Sequence, residues 1–503
     1  HLLAPTDCPS IRLFRIPNLI TMIHNPPRRA RRTKIVFTIG PSTDSEEILE
    51  TLMSVHFVDV CRINMAHANH DYVRKVCRRI RSIGEKIERP LSIMMDIKGP
   101  EIRTGVVEKP IVLEVGQLFD FIVSPDAPLS EDFRSVSVNY PNLARGIEVG
   151  GDILVDNGLI RLEVLEKNDQ RIRCKVIIPG ELHSRRHINL PGFKVDLPPL
   201  TEKDQGDALV GIEEGVDLFA LSFVREENDI RILRGFLDEN GGHDARIVAK
   251  IEDQSAITNL EGIIGESDAL MVARGDLGIE CPFETLPIIQ HNAVKSCLRS
   301  GKPVIIATHM LESMISNPIP TRAEVSDVAI AIEEEADCVM LSGETTIGKY
   351  PIQCVEALTK ISKAIDQEGK KFNFAQELAL ITDKARIQHS AVIMANELDA
   401  VAILCFTRSG SMARGVSAQR PRTSPIFAFT NSFDTVRKLR LHHGVVPFQM
   451  IFCTEPEATV ARAMKVLVTR GYLKSGDKIV LVSDTLASDR VIDSIQLRTV
   501  DEY

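Results

Sequence analysis

From residue 33 onward, short apolar runs rich in β-branched residues alternate with longer segments whose apolar positions recur every three to four residues. The first pattern reads as buried parallel strand and the second as amphipathic helix. Eight runs of the first kind stand at 33–40, 57–65, 91–97, 216–223, 246–251, 269–275, 303–308 and 338–343. Helical periods occupy 44–55, 69–86, 226–239, 284–300, 321–336 and 351–369. Eight parallel strands with intervening helices predict a closed (β/α)8 TIM barrel, in the α/β class.

The third run leads instead into residues 105–198, whose texture is strand throughout, as in 153–165 and 171–178. A small all-β domain inserted in a barrel loop is predicted there, with the proline-punctuated 189–201 as its hinge. From about 383, strand and helix alternation resumes (391–397, 400–406, 425–429, 478–483) and predicts a C-terminal α/β domain. The expected organisation is an N-terminal basic arm at 1–30, a barrel built from 31–104 and 199–382, an inserted β-barrel lid at 105–198, and the α/β domain at 383–503.

Composition narrows the class. A chain of 503 residues exceeds one core, and 44% hydrophobic with 26% charged residues is a globular mixture. A formal charge of −9 disfavours a nucleic-acid partner, which needs a basic face. No apolar run is long enough for a membrane helix. The ten cysteines contain no C-x-x-C pair, which fits reduced thiols in a cytoplasmic enzyme rather than a disulfide frame or a zinc site. One segment stands apart: Arg12, Arg15, Arg28, Arg29, Arg31, Arg32 and Lys34 face a single early acid, Asp7. Such a leader has the composition of an organelle transit peptide. Pro26-Pro27 interrupts any amphipathic helix in it, and the reading adopted is a basic arm on a cytoplasmic protein.

Barrel enzymes place their chemistry at the C-terminal ends of the strands. Here those ends are polar: Arg62 and Asn64, Asp96 and Lys98, Lys250 and Glu252, Arg274 and Asp276, Thr308 and His309, Ser342 and Glu344. Residues two apart on a strand share a face, so Lys250 and Glu252 look into one cavity. With Asp276, two carboxylates are available for a hard cation, while Lys250 and Arg62 neutralise a multiply charged anion. That is equipment for phosphoryl transfer or enolate chemistry. The turn Gly275–Gly278 offers backbone N–H groups to an anion, although such turns also close βα units without binding anything.

The stretches 33–42 (TKIVFTIGPS), 62–67 (RINMAH), 96–105 (DIKGPEIRTG), 188–197 (INLPGFKVDL), 250–252 (KIE), 271–278 (MVARGDLG), 320–328 (PTRAEVSDV) and 341–345 (LSGET) closely resemble the motifs of pyruvate kinases, in family order and from about residue 31 to the C-terminus. The resemblance implies transfer of the phosphoryl group of phosphoenolpyruvate to ADP in glycolysis, in a homo-oligomer of tetramer type with a regulatory C-terminal domain. It implies Lys250 and Arg62 on the transferring phosphoryl group, and Glu252 and Asp276 on Mg²⁺ or Mn²⁺. Gly275, Asp276 and Thr308 match the pyruvate pocket, with Ser342 and Glu344 on its proton-relay side. Pro41, His67, Tyr72, Arg103 and Arg186 match nucleotide positions, and Asn64, Asp96 and the Ile97 carbonyl match K⁺ ligands. Thr407, Ser409, Gly410 and Ser411 resemble a turn that grips the phosphate of an allosteric effector. The 484–490 stretch (DTLASDR) lacks the glycines of the usual effector loop, and its Asp484 and Asp489 would repel phosphate.

Plainer roles compete for some of these residues. Tyr72 faces either adenine or the core, Ser342 and Glu344 either relay a proton or cap the next helix, packing through the methyl is the lesser alternative for Thr308, and 407–411 serves equally as a turn. The sequence departs from the family pattern at Ala66 (serine), Ala68 (glycine), Ile97 (threonine), Asn157 (aspartate), Arg186 (lysine), His309 (glutamine), Val325 (glycine) and Ile330 (asparagine). Glu101 is of the type seen in potassium-dependent relatives. Two other readings fit parts of the pattern: a weakened family member acting as a metabolite sensor, and another magnesium-dependent barrel acting on pyruvate-type enolates, such as an aldolase.

Overall fold

The computed structural model describes residues 31–124, 134–193, 196–368, 372–483 and 493–501. The basic arm and the 484–490 stretch lie outside the described residues.

Three barrel strands come first, β1 (Lys34–Thr38), β2 (Val60–Asn64) and β3 (Ser92–Ile97). Next come β4 (Ile111–Leu113), β5 (Leu118–Ile122), β6 (Arg134–Ser137), β7 (Asp152–Val155), β8 (Ile160–Lys167), β9 (Arg171–Ile178), β10 (Gly180–Leu182) and β11 (Ile188–Asn189). The barrel resumes with β12 (Leu218–Leu221), β13 (Arg246–Ile251), β14 (Ala269–Ala273), β15 (Val304–Ala307) and β16 (Cys338–Leu341). Its strands close in the order β1-β16-β15-β14-β13-β12-β3-β2, all parallel. Every predicted strand run and every predicted helical stretch of the barrel has its element.

The pleat explains what faces where. Val36, Val60, Met94, Leu218, Ala220, Val248, Met271, Ile305 and Met340 fill the barrel interior, while alternate residues such as Phe37, Ile63, Phe219 and Ala249 pack under the surrounding helices. The helices are set by their own signals. Asn69 caps His70–Lys86 by accepting from the Tyr72 N–H, and Val73, Val76, Cys77, Ile80 and Ile83 form its buried stripe. Thr321 and Glu324 form a capping box on Arg322–Glu333.

The inserted segment is strand-rich, as expected, but among the described residues it is an open six-stranded sheet, β11-β7-β8-β9-β5-β6, with a separate ribbon β10-β4. Among the described residues no ring of hydrogen bonds closes it into the expected β-barrel. The run 153–165 is a hairpin rather than one strand. Asp156, Asn157 and Gly158 all take left-handed backbone at its turn, a conformation that Asp, Asn and Gly tolerate best.

The C-terminal unit has the sheet order β19-β18-β17-β20-β21: β17 (Ala402–Phe406), β18 (Ile426–Thr430), β19 (Val445–Gln449), β20 (Lys478–Ser483) and β21 (Ser494–Thr499). Residues 391–397 end the helix Asp383–Glu397. This unit packs on the N-terminal end of the barrel. Leu441 joins the barrel's interior cluster from below, Arg420 pairs with Asp337 at 2.6 Å with both side chains buried, and Arg437 reaches Asp217 at 2.7 Å.

Candidate active site

The inward register that packs Val60, Met94, Leu218 and Val248 continues upward to polar side chains. Two residues on from these come Arg62, Asp96, Ala220 and Lys250, and one further step gives Asn64, Ser222 and Glu252. The site is therefore the polar top layer of a packed barrel.

Lys250 is its centre. Its Nζ lies 3.2 Å from Asp96 Oδ1, 2.7 Å from Ser222 Oγ and 2.8 Å from Glu252 Oε1. Burial by itself lowers the ammonium's pKa, but the Asp96 and Glu252 carboxylates outweigh it and hold the pKa above the ordinary value. Asp96 also receives Arg62 Nε at 2.6 Å, and Arg62 Nη1 donates to Thr38 Oγ1 at 3.1 Å. Burial raises the Asp96 pKa less than Lys250 and Arg62 lower it, so this carboxylate is held ionised.

Glu252, 1% exposed, accepts the Phe223 N–H at 2.7 Å on its other oxygen. Burial pushes its pKa up to about 7, with Lys250 opposing and the neighbouring Asp276 adding to the rise. Two neighbouring carboxylates, one buried and one half-buried, each with lone pairs to spare, have the chemistry of a donor set for a hard divalent cation. Among the described residues no three acidic, His or Cys side chains converge as a complete cage, so solvent or substrate oxygens must supply the remaining ligands. Two cations (Lys250, Arg62) face three carboxylates (Asp96, Glu252, Asp276). A divalent cation turns that balance positive and suits the mouth to an anionic phosphoryl group.

The pyruvate-side residues also meet. Thr308 Oγ1 accepts the Gly275 N–H at 2.7 Å, and the Thr308 carbonyl accepts from Arg274 at 2.7 Å. Thr308 and His309 both have positive φ (67° and 56°), strained backbone that for a β-branched residue marks a constrained site. Glu344 behaves differently from expectation. It is fully buried, and its oxygens accept the Leu311 and Ser342 N–H groups at 3.0 and 2.7 Å. It braces the loops after β15 and β16 through these two backbone contacts. Ser342 makes no side-chain cap, and its Oγ is buried without a partner.

Asn64 and Asp96 lie opposite each other in the β2–β3 register. The Ile97 carbonyl accepts from Ser222 Oγ at 2.6 Å, and Asn64 Oδ1 accepts the Ala66 N–H at 3.1 Å.

Of the nucleotide set, Pro41 and His67 are exposed beyond the ends of β1 and β2. Arg103 is forked onto Glu101 (2.6 Å), and Arg186 pairs with Asp156 (3.2 Å) at the root of the inserted domain. Tyr72 is half-buried: its ring packs against the layer between barrel and helices and its hydroxyl is buried without a hydrogen-bond partner, which is the core-facing of the two expected orientations. In the C-terminal unit, Thr407 Oγ1 accepts the Gly410 N–H at 3.1 Å and Ser409 Oγ the Ser411 N–H at 3.4 Å, with Gly410 at φ 82° leading into the helix Ser411–Ala418. These contacts close the turn on itself.

Ser222, which touches both Lys250 and the Ile97 carbonyl, was not among the expected residues. The strand parity that places Lys250 and Glu252 places it too, since Leu218 and Ala220 point inward below it.

Fold and site define a class: a (β/α)8-barrel protein with a buried ammonium, an arginine and a cluster of carboxylates at the C-terminal ends of its strands. Comparison with known proteins makes it particular. The family model "Pyruvate kinase, barrel domain" matches residues 30–355, and "Pyruvate kinase, alpha/beta domain" matches 385–491. Pyruvate kinase isozyme G, chloroplastic, of Nicotiana tabacum is 42% identical over 90% of this chain and 80% of its own length. A pyruvate kinase of Staphylococcus haemolyticus is 38% identical over 90% and 78%. The crystal structure of a pyruvate kinase from Cryptosporidium parvum superimposes with a TM-score of 0.88 at 32% identity, over 94% of this chain and 97% of that one. The chain belongs to the pyruvate kinase family and is a phosphotransferase, with the metal dependence general to that family.

Proposed function

We propose that this enzyme transfers the phosphoryl group of phosphoenolpyruvate to the β-phosphate of ADP, giving pyruvate and ATP, as the ATP-forming step of glycolysis. The observation that carries this reading is the Lys250 ammonium, fixed within 2.7–3.2 Å of Asp96, Ser222 and Glu252 beside Arg62. Lys250 and Arg62 hold the phosphoryl oxygens in line with the incoming ADP, and Lys250 stays opposite the charge that develops on the enolate oxygen. Glu252 and Asp276 would hold Mg²⁺ or Mn²⁺, which would supply further neutralisation of that charge. Gly275 and Asp276 border the pyruvate moiety. Thr308, whose hydroxyl is already oriented by the Gly275 N–H, lies near the carbon to be protonated, with Ser342 on the proton's path and Glu344 positioning both loops. Pro41, His67, Arg103 and Arg186 contact the nucleotide, and the inserted domain closes over the mouth to exclude water.

A coupled assay decides the reading. Metal-dependent formation of ATP and pyruvate from phosphoenolpyruvate and ADP is expected, whereas carbon–carbon cleavage without ATP would assign an aldolase, and binding without turnover a metabolite sensor.

K⁺ at Asn64, Asp96 and the Ile97 carbonyl belongs to the same proposal. Ala66 supplies no hydroxyl there, so water must complete the shell. With KCl titrated at constant ionic strength, K⁺ activation is expected to saturate at roughly 5-fold higher concentration in the parent than in Ala66→Ser, the factor carried by one oxygen contact of about 1 kcal/mol. Full rate in the absence of K⁺ and Na⁺ would reassign Asn64 and Asp96.

The remaining readings rest on less. The Thr407–Ser411 turn precedes a helix N-terminus, which supports a phosphorylated allosteric effector there. Exposed apolar side chains on Phe283, Ile288, Val325 and Ile330 support a homo-oligomer, with a tetramer proposed on family grounds. Among the described residues no helix is long and apolar enough to cross a membrane, and the cysteines are free. A reducing compartment fits. The cytoplasm is proposed, with the plastid as the alternative that cell fractionation separates.

A further inference from the structure

The edge of the inserted domain nearest the site touches Phe223, the residue after β12 whose N–H holds Glu252, and the helix that carries Asp276. His187, just before β11, sets its ring against Phe223 with centroids 5.8 Å apart and planes tilted by 54°. Phe223 is a bulky residue at φ 53°, a backbone conformation that persists only when its surroundings hold it. It is held at two points besides His187. Its N–H donates to Glu252 Oε2 at 2.7 Å, and its ring lies over Gly99, where a side-chain Cβ would stand only 3.2 Å from Cδ2. The Phe223 ring and the Glu252 carboxylate are thus opposite ends of one strained residue.

Two positions along, on the same face of the strand, Asn189 is 3% exposed and donates from Nδ2 to Glu280 Oε1 at 2.9 Å. Glu280 lies one turn after Asp276 on the helix Arg274–Glu280. The Asn189 Oδ1 is buried without a hydrogen-bond partner, so the side chain's one hydrogen bond is the one to Glu280.

We infer that His187 and Asn189 are positioning residues of the inserted domain: through Phe223 and Glu280 they set the two carboxylates Glu252 and Asp276 to the spacing a divalent cation needs. Neither side chain has a role in the chemistry itself. The inference rests on the reading of Glu252 and Asp276 as metal ligands. It makes metal affinity depend on how the inserted domain seats on the barrel, so that closing the mouth and tightening the metal are one event.

The test is a Mn²⁺ titration of the full chain, by direct binding and by activity at saturating substrates, for the parent and for His187→Ala, His187→Phe, Asn189→Ala and Glu252→Ala. His187→Ala and Asn189→Ala are each expected to raise the half-saturating Mn²⁺ about 5-fold, with kcat at saturating metal within about 2-fold of the parent. The scale is that of one lost aromatic or hydrogen-bond contact. His187→Phe, which keeps a ring on Phe223, is expected to restore the parent titration. A merely structural role would move the melting temperature and leave the Mn²⁺ titration in place. Titrations of both alanine variants that superimpose on the parent, while Glu252→Ala is shifted, overturn the inference and leave the metal assignment standing. Unchanged Mn²⁺ binding in Glu252→Ala overturns both. A His187→Phe protein as weak as His187→Ala overturns the packing route through Phe223. Should one alanine variant fail to fold, the other carries the same comparison.

Discussion

Lys250→Met is expected to lower kcat by at least about 10²–10³-fold while the protein remains folded. The ammonium sits where negative charge grows during transfer, inside a layer too dry to screen it, and removing one preorganised charge of this kind raises a barrier by roughly 3–4 kcal/mol. The fold should survive because neither carboxylate loses its only partner. Asp96 keeps Arg62 at 2.6 Å, and Glu252 keeps the Phe223 N–H at 2.7 Å. Methionine also matches the lysine stem in length and packs against the same neighbours. The measurement is steady-state turnover alongside thermal unfolding: a folded variant with near-parent kcat would remove Lys250 from the mechanism.

The second large effect lies in the metal. Glu252→Ala and Asp276→Ala are each expected to raise the half-saturating Mg²⁺ by more than the roughly 10–100-fold that losing an outer-shell partner costs, because each deletes half of the protein's oxygen ligands. The two should differ in one respect. Glu252 is almost fully buried and also holds the Phe223 N–H, so its removal strips a strained turn of its anchor, whereas Asp276 is half-buried and faces the mouth. Glu252→Ala should therefore also lower the melting temperature, and Asp276→Ala should leave it nearly unchanged. Metal titrations followed by activity, with unfolding recorded on the same samples, check both statements. Unchanged titrations would return the two carboxylates to structural roles.

Much of this was legible from the chain. The eight strand runs announced themselves because a strand covered by helices outside and packed inside is apolar on both faces. The same two-residue period carried Lys250 and Glu252 to one cavity. Ser222 could have been reached by that route and was passed over because a serine between leucine and phenylalanine bears no charge to draw notice. The helix Glu202–Glu213 was also missed: its buried positions include Asp204 and Asp207, which blur the apolar stripe, although Thr201 and Asp204 form a capping box that marks its start. The hairpin at 152–167 read as one strand because Ile, Leu and Val continue on both sides of a turn whose only signals are Asp156, Asn157 and Gly158. Tyr72 and Glu344 show the limit of motif reasoning. A motif fixes which residue stands at a position, whereas the direction of a tyrosine ring or the partners of a buried carboxylate depend on packing and on backbone groups from distant strands.

Leu441 has a meaning for how the chain can be cut. It occupies the lower mouth of the barrel, with its carbonyl accepting from Cys338 Sγ at 3.3 Å, while Arg420 and Arg437 neutralise Asp337 and Asp217 around the same rim. A truncation that kept only the barrel would bare the apolar floor of its packed interior and take from buried Asp337 its arginine, at a cost of several kcal/mol, whereas Asp217 would keep Arg81 at 2.9 Å. The barrel is thus not a portable module. Exchange of C-terminal halves between relatives should succeed only where the incoming half brings its own stopper and its own arginine for Asp337, and a designer seeking a minimal enzyme from this sequence would have to build a floor before removing the one already there.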